Sequence, residues 1–275
     1  MDPLPDEILQ HYEREVDEAQ RIAHGFGQLE LVRTREIVRR HLPAGALRIL
    51  DVGGGTGVHA AWLAEDGHDV HVVDPVPRHV EAVGRLTPSR GRVTAELGDA
   101  RRLAAADAAF DAVLLLGPLY HLTERGERLA ALREAARAVR PGGPVFAAAI
   151  NRFASLFDGL SRGFLFDPAF RAVVEGDLAD GRHRNPGRNP RWFTTAYFHR
   201  PNELRSEVED AGLDVVEVVG VEGLAGSLPT LADRWDDEAD RDVILWSARA
   251  VESEPSLLGL SAHLLAVARR ASVAG

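Results

Sequence analysis

Between Ile49 and Gly57 the chain reads Ile-Leu-Asp-Val-Gly-Gly-Gly-Thr-Gly, and few architectures accommodate that run. Apolar residues around a single acid suit a short buried strand. Four glycines in the next five positions suit a turn that tolerates φ > 0 and lets backbone pass close to a ligand. A helical stretch follows from about Val58 to Glu65. Strand, glycine turn and helix together open a βαβ unit, whose ligands lie outside the C-terminal ends of the strands. The turn by itself leaves two readings open, because Gly55-x-Gly57-x-x-Ala60 also fits a dinucleotide-binding fingerprint. Two acids separate them. Asp51, just before the glycines, would set negative charge beside a pyrophosphate, which is costly at low local dielectric; it suits a ligand with a cationic amino-acid end. Asp74 closes Val70-His71-Val72-Val73-Asp74, seventeen residues beyond Gly57, where a carboxylate can accept hydrogen bonds from a ribose diol. The ligand so described carries a nucleoside and an ammonium-bearing tail but no diphosphate.

The remaining pattern predicts strands over Arg48 to Val52, Asp69 to Val73, Arg92 to Leu97, Asp111 to Leu116 and Val145 to Ile150, each short and bounded by Gly, Pro or Asp. Leu129, Leu132, Ala136 and Val139 fall on one helical face, and Pro141-Gly142-Gly143 stops that helix. The alternation predicts an α/β, Rossmann-like, mostly parallel sheet with helices on both faces. Past a break at residues 151–200, a helix opens at Pro201 and ends at Gly212. A strand follows over Leu213 to Val219, then an acidic helical stretch over Leu231 to Val251, and a last strand over Ala262 to Ala268. Domain boundaries follow: a helical lid over 1–46, a cofactor-binding core over 47–150, an aromatic-rich insertion over 151–200, and the rest of the core over 201–275.

With the glycine turn, Asp74, Gly98-Asp99-Ala100 after the third strand and Phe110-Asp111-Ala112-Val113-Leu114-Leu115-Leu116 as the fourth, the sequence resembles the class I S-adenosylmethionine-dependent methyltransferases. The resemblance implies seven strands, the last antiparallel between the fifth and sixth. It implies S-adenosylmethionine as cofactor and S-adenosylhomocysteine as product. In that family the turn, here Gly53, Gly55 and Gly57, meets the methionine end. Asp74 with Pro75 would hold the ribose, Asp99 with Ala100 the adenine, and Leu116 would border the site; Asp51 would help anchor the amino group. The segments around Tyr12 and Arg33 look like the N-terminal lid of small-molecule members, with Tyr12 facing the sulfonium and Arg33 the methionine carboxylate. Taken singly, each acid also reads as a cap or turn residue, and Arg33 as an exposed helical arginine.

Composition narrows the function. The chain has 275 residues, 45% hydrophobic and 27% charged, with a net charge of −10, and no lysine. That acidity opposes nucleic-acid binding, which needs basic charge to displace counterions, although Arg182, Arg184, Arg188 and Arg191 cluster locally. With no cysteine, thiol catalysis and thiolate-bound metals are excluded, and the eleven histidines are scattered, so no metal is expected. The acidic N-terminus lacks an apolar core and no run reaches membrane-spanning length; a cytoplasmic monomer or homodimer is expected. The acceptor is expected to be a small apolar molecule, aromatic or polycyclic, of secondary-metabolite type, with N-, O- and C-methylation all open. The alternatives are a nicotinamide-dependent oxidoreductase and a nucleic-acid methyltransferase. Tyr120 and His121 follow the fourth strand, where His121 is either a general base or a helix cap, and His199 is either a second base or structural. Seven of the ten Phe lie in 151–200 with Trp192 and Tyr197, as a packed subdomain, an apolar lid over the acceptor, or both.

Overall fold

The structure is a computed structural model, and it describes residues 25–187, 189 and 191–272. In chain order its elements are α1 (Phe26–His41), β1 (Arg48–Val52), α2 (Val58–Glu65), β2 (Asp69–Asp74), α3 (Pro77–Val83), β3 (Arg92–Leu97), β4 (Ala112–Leu115), α4 (Pro118–His121), α5 (Arg125–Ala138) and β5 (Pro144–Ile150). There follow α6 (Ala154–Ser161), α7 (Pro168–Asp180), β6 (Arg182–His183), β7 (Ala196–Tyr197), α8 (Pro201–Asp210), β8 (Leu213–Gly220), α9 (Leu231–Trp235), α10 (Glu238–Val251) and β9 (His263–Arg270). Seven strands form one sheet in the order β3-β2-β1-β4-β5-β9-β8. The expected strand count and Rossmann-like fold are present.

Burial explains the strand sequences. β1 and β4 lie inside the sheet and are buried along almost their whole length, so β4 reads as an unbroken apolar run and β1, from Ile49 on, as one interrupted only by Asp51. β3, at the edge, carries Arg92, Thr94 and Leu97 exposed. Parallel pairing sets Val52 opposite Val73 and Asp74 opposite Leu97, so β1, β2 and β3 end level with one another. The last strand runs the other way: Gly143 bonds Arg270 while Asn151 bonds Ala262, so numbers rise on β5 as they fall on β9. The antiparallel seventh strand therefore sits between the fifth and sixth, as expected.

The described chain forms two compact bodies: residues 37–148, 204–217 and 266–272, and residues 25–36, 149–203 and 218–265. In the second body the aromatic-rich segment is folded, not irregular. Asp167 caps α7 through the Ala169 N–H, and Gly181 at φ 78° ends it. Phe170 packs edge-on to Phe164 (5.6 Å between ring centres) and against Trp192 (5.2 Å), while His183 stacks on Phe198 at 4.9 Å. A Cβ on Gly159 would lie 2.4 Å from the Phe170 ring, so this aromatic cluster admits no side chain there. The single acidic helix expected over 231–251 is instead two, α9 and α10. The break falls at Asp236-Asp237, because the Asp237 side chain accepts from the Asp240 N–H and starts a new helix. Among the described residues no helix is long and apolar enough to cross a membrane.

One buried ion pair fixes the chain just beyond β4. Arg128 on α5 forks onto Glu207 of α8 at 2.9 and 2.7 Å, and its Nη1 donates to the carbonyls of Leu122 and Thr123, both at 2.9 Å. The arginine thus receives charge and holds the segment that follows α4. Removing one partner strands a buried charge, at a cost of about 3–5 kcal/mol. Urea unfolding of Glu207→Ala should show a loss of that order. Arg128→Met combined with Glu207→Leu should recover most of it, and equal losses in the single and double variants would deny the pair this role.

Candidate functional site

Where β1 ends, the backbone turns through three glycines in the left-handed region: Gly53 (φ 67°), Gly55 (φ 58°) and Gly57 (φ 85°). A side chain at Gly53 would meet Pro118 at 2.7 Å, and one at Gly54 would meet the Asp51 carboxylate at 2.6 Å. Gly55 differs, since a Cβ there would meet nothing within 4 Å. The turn is packed from below at Gly53 and Gly54 and open above at Gly55. Gly57 starts α2, whose N-terminal N–H groups point toward the turn.

Two acids stand at the ends of β1 and β2, and the protein treats them differently. Asp74 is 4% exposed. Its Oδ2 accepts from the Gly55 N–H (2.9 Å) and its Oδ1 from the Val76 N–H (2.9 Å), with His79 Nδ1 3.0 Å away. Asp74 therefore ties the open glycine to β2. Asp51 is fully buried, and among the described residues neither carboxylate oxygen has a hydrogen-bond partner. Burial, and then the charge of Asp74, push its pKa up to about 7. A buried acid without a partner at the mouth of a glycine turn is unusual and fits a site shaped for a cationic group. Asp99, after β3, accepts from the Arg101 N–H and from its guanidinium. Although burial opposes ionisation, those bonds and the nearby charge hold its pKa below the usual carboxylate range. Arg101 also pairs with Glu127. Pro75, Ala100 and Leu116 are half-buried.

Beyond β4 the helix α4 carries Tyr120 and His121 with ring centres 4.7 Å apart, edge to face. The Tyr120 hydroxyl donates to the Leu116 carbonyl at 3.5 Å, the outer limit of such a bond. A Cβ on Gly117 would sit 2.9 Å from the Gly53 carbonyl, so α4 and the glycine turn pack backbone on backbone. Asp51, Gly53, Gly55, Gly57, Asp74, Pro75, Asp99, Ala100, Leu116, Tyr120 and His121 all belong to the body containing residues 37–148.

Two other expected site residues belong to the other body. Arg33 is not an exposed helical arginine: it is fully buried, and its guanidinium donates to the Val221 carbonyl (3.2 Å), Glu36 and Glu252. His199 is fully buried, edge-on to Tyr197 at 4.7 Å, with its backbone N–H on the Ile150 carbonyl. Tyr12 and Arg188 lie outside the described residues. Sequence reasoning passed over His79 and Arg101, which orient Asp74 and Asp99. Arg101 was legible as a cation two positions after an acid at a strand end; His79 carries no such pattern.

A model of the methyltransferase domain matches residues 49–143, the stretch from the glycine turn to the start of β5. The ubiquinone biosynthesis O-methyltransferase of Methylobacterium nodulans is 31% identical over 210 residues, 73% of this chain and 76% of that protein. Methyltransferase GfsG of Streptomyces halstedii is 31% identical over 192 residues, 68% of this chain and 60% of its own. Among solved structures, the N-methyltransferase NodS of Bradyrhizobium japonicum, in complex with S-adenosyl-L-homocysteine, superposes with a TM-score of 0.57. It is 17% identical, with 96% of this chain and 98% of that chain covered, a likeness of fold.

The raised Asp51 pKa has a consequence for stability. Between about pH 4 and pH 7 the unfolded chain ionises this carboxyl while the folded chain keeps it protonated, which favours unfolding as pH rises. The penalty grows through that window to on the order of 4 kcal/mol and is constant above it. Asp51→Asn does not titrate. Its stability relative to the parent, read by urea unfolding from pH 4 to pH 8, should therefore improve steadily up to about pH 7. Parallel curves for the two proteins would show that Asp51 ionises freely in the fold.

Proposed function

The chain belongs to the class I S-adenosylmethionine-dependent methyltransferases, and on that premise we propose that it methylates a hydroxyl of a small, apolar, aromatic or polycyclic acceptor, a natural-product type of substrate. One observation carries the chemistry: His121 is the only imidazole on the segment that follows β4, in the same body as the open glycine turn. The relative that acts in ubiquinone biosynthesis as an O-methyltransferase supports oxygen as the accepting atom. The aromatic character of residues 151–200 supports an apolar acceptor.

The residues present fit the cofactor, given the open approach at Gly55 and the unpartnered acid beside it. S-adenosylmethionine supplies, when bound, an electrophilic methyl group on a sulfonium. Asp74 has oxygen lone pairs left beyond its two backbone bonds and would take the ribose hydroxyls. Asp99, held ionised by Arg101, would accept from the adenine amino group, with Pro75, Ala100 and Leu116 forming apolar surface around the nucleoside. Asp51 would meet the ammonium end and ionise there. Arg33 has no part in this assignment, because its guanidinium is committed to two carboxylates and a carbonyl. His121 accepts the hydroxyl proton as the acceptor oxygen becomes nucleophilic, and Tyr120 holds the imidazole edge-on. Positioning supplies much of the remaining rate, since a displacement of this kind needs the reacting atoms held about 3–3.5 Å apart with water excluded.

The net charge of −10 weighs against a nucleic-acid acceptor. Purified protein given labelled S-adenosylmethionine should label small phenols or hydroxylated polycycles and not RNA; label on RNA alone would overturn the acceptor assignment. With a labelled acceptor in hand, His121→Gln should lower kcat by roughly 10²–10⁴-fold while calorimetry shows unchanged S-adenosylhomocysteine affinity. An unchanged kcat would make the enzyme one of proximity alone.

A further inference from the structure

Away from the glycine turn, three side chains from distant parts of the chain converge within the body formed by residues 25–36, 149–203 and 218–265. They are Glu30 on α1, Glu222 two residues past the end of β8, and His263 at the first position of β9. One ligand-competent atom from each lies within 4.8 Å of the others. Glu222 is fully buried, and its carboxylate is held from several sides. Oε2 accepts from the Ser261 hydroxyl (2.8 Å) and the His263 backbone N–H (3.0 Å), and Oε1 lies 2.6 Å from His263 Nδ1. The Ser261 hydroxyl in turn accepts from the backbone N–H groups of Glu222 and Gly223. Three local bonds therefore fix the Glu222 rotamer before any ligand arrives.

Hydrogen bonds orient this carboxylate but do not neutralise it, and a buried ionised group needs an opposite charge close by. Among the described residues no arginine bonds it: its contacts there are the Ser261 hydroxyl and two groups of His263, and His263 carries charge only when doubly protonated. The His263 ring is partly exposed, 20%, and the Phe26 ring packs 5.9 Å from it as an apolar wall. Glu30 brings a second carboxylate to the same spot. Two glutamates and one imidazole match a divalent ion in charge; the imidazole favours zinc or iron over magnesium or calcium, and the two carboxylates also admit manganese.

We propose that Glu30, Glu222 and His263 form a binding site for one divalent transition-metal ion. Glu222 is the preset ligand, and Glu30, half-buried on its helix, closes on the ion. Three protein ligands leave a coordination position for water or for an oxygen of a bound small molecule.

Tag-free full-length protein, stripped with chelator, should bind one zinc or manganese ion per chain in calorimetric titrations with each metal alone. Glu30→Gln, at a half-buried position, and His263→Ala should each weaken that binding about tenfold or more while circular dichroism stays that of the parent. Glu222→Gln should do the same if it folds; the other two variants decide the matter if it does not. No saturable binding by the parent would overturn the proposal, leaving the cluster as a glutamate–histidinium pair. Binding that survives both Glu30→Gln and His263→Ala would overturn it as well, by placing the ion elsewhere.

Discussion

The site depends on one buried acid whose ionisation the fold opposes. Asp51 is the penultimate residue of a buried strand, with neither oxygen bonded among the described residues and a second acid, Asp74, adding to its cost. The fold could have satisfied Asp51 as it satisfies Asp74, through backbone N–H groups of the glycine turn. Instead the Gly55 N–H goes to Asp74, and Gly54 presses on the Asp51 carboxylate, leaving no room for a side chain. A carboxyl kept this way is largely neutral in the empty protein below pH 7 and becomes an anion when a cation arrives. The glycines around it answer to the same constraint: Gly53 and Gly54 let α4 and the carboxylate approach, and Gly55 leaves the space above them open.

Charge is handled differently wherever the protein needs rigidity. Arg128 with Glu207, and Arg33 with Glu36 and Glu252, are buried arginines with every direction of the guanidinium fork used. The first holds the chain after α4, and the second holds α1 against Val221, at the end of β8. In each, all three guanidinium nitrogens donate within the protein. This separates the arginine expected to bind a carboxylate from what Arg33 does: the same bidentate chemistry is present, spent inside one body of the protein.

Most of the sheet was legible because buried parallel strands have few ways to look in sequence. Ile49-Leu50-Asp51-Val52 and Ala112-Val113-Leu114-Leu115 are apolar runs broken by glycine, and the structure sets both inside the sheet. The glycine turn, Asp74 and Asp99 were legible because each is a polar or flexible residue at the end of such a run. The break at Asp236-Asp237 was not, since a helix cap in an acidic stretch looks like more acidic helix. The burial of Arg33 was also hidden, because its partners Val221 and Glu252 are remote in sequence. Glu30, Glu222 and His263 were hidden for the same reason: β8 and β9 are antiparallel neighbours, and the proximity of their ends has no local signature. The aromatic insertion was half legible, in its composition but not in the helices, glycine contacts and stacked rings that turn composition into a core.

The raised Asp51 pKa makes the protonation of this carboxyl depend on whether the cofactor site is filled. Calorimetry of S-adenosylhomocysteine binding from pH 6 to pH 8, in buffers of different ionisation enthalpy, measures both affinity and protons exchanged. A carboxyl held near pH 7 and ionised by the ligand ammonium releases a fraction of a proton on binding below pH 7, and affinity tightens as pH rises toward 8. Asp51→Asn should bind more weakly, with affinity flat across that range and the Asp51 proton release gone. Proton release and pH dependence equal in the two proteins would contradict the central claim.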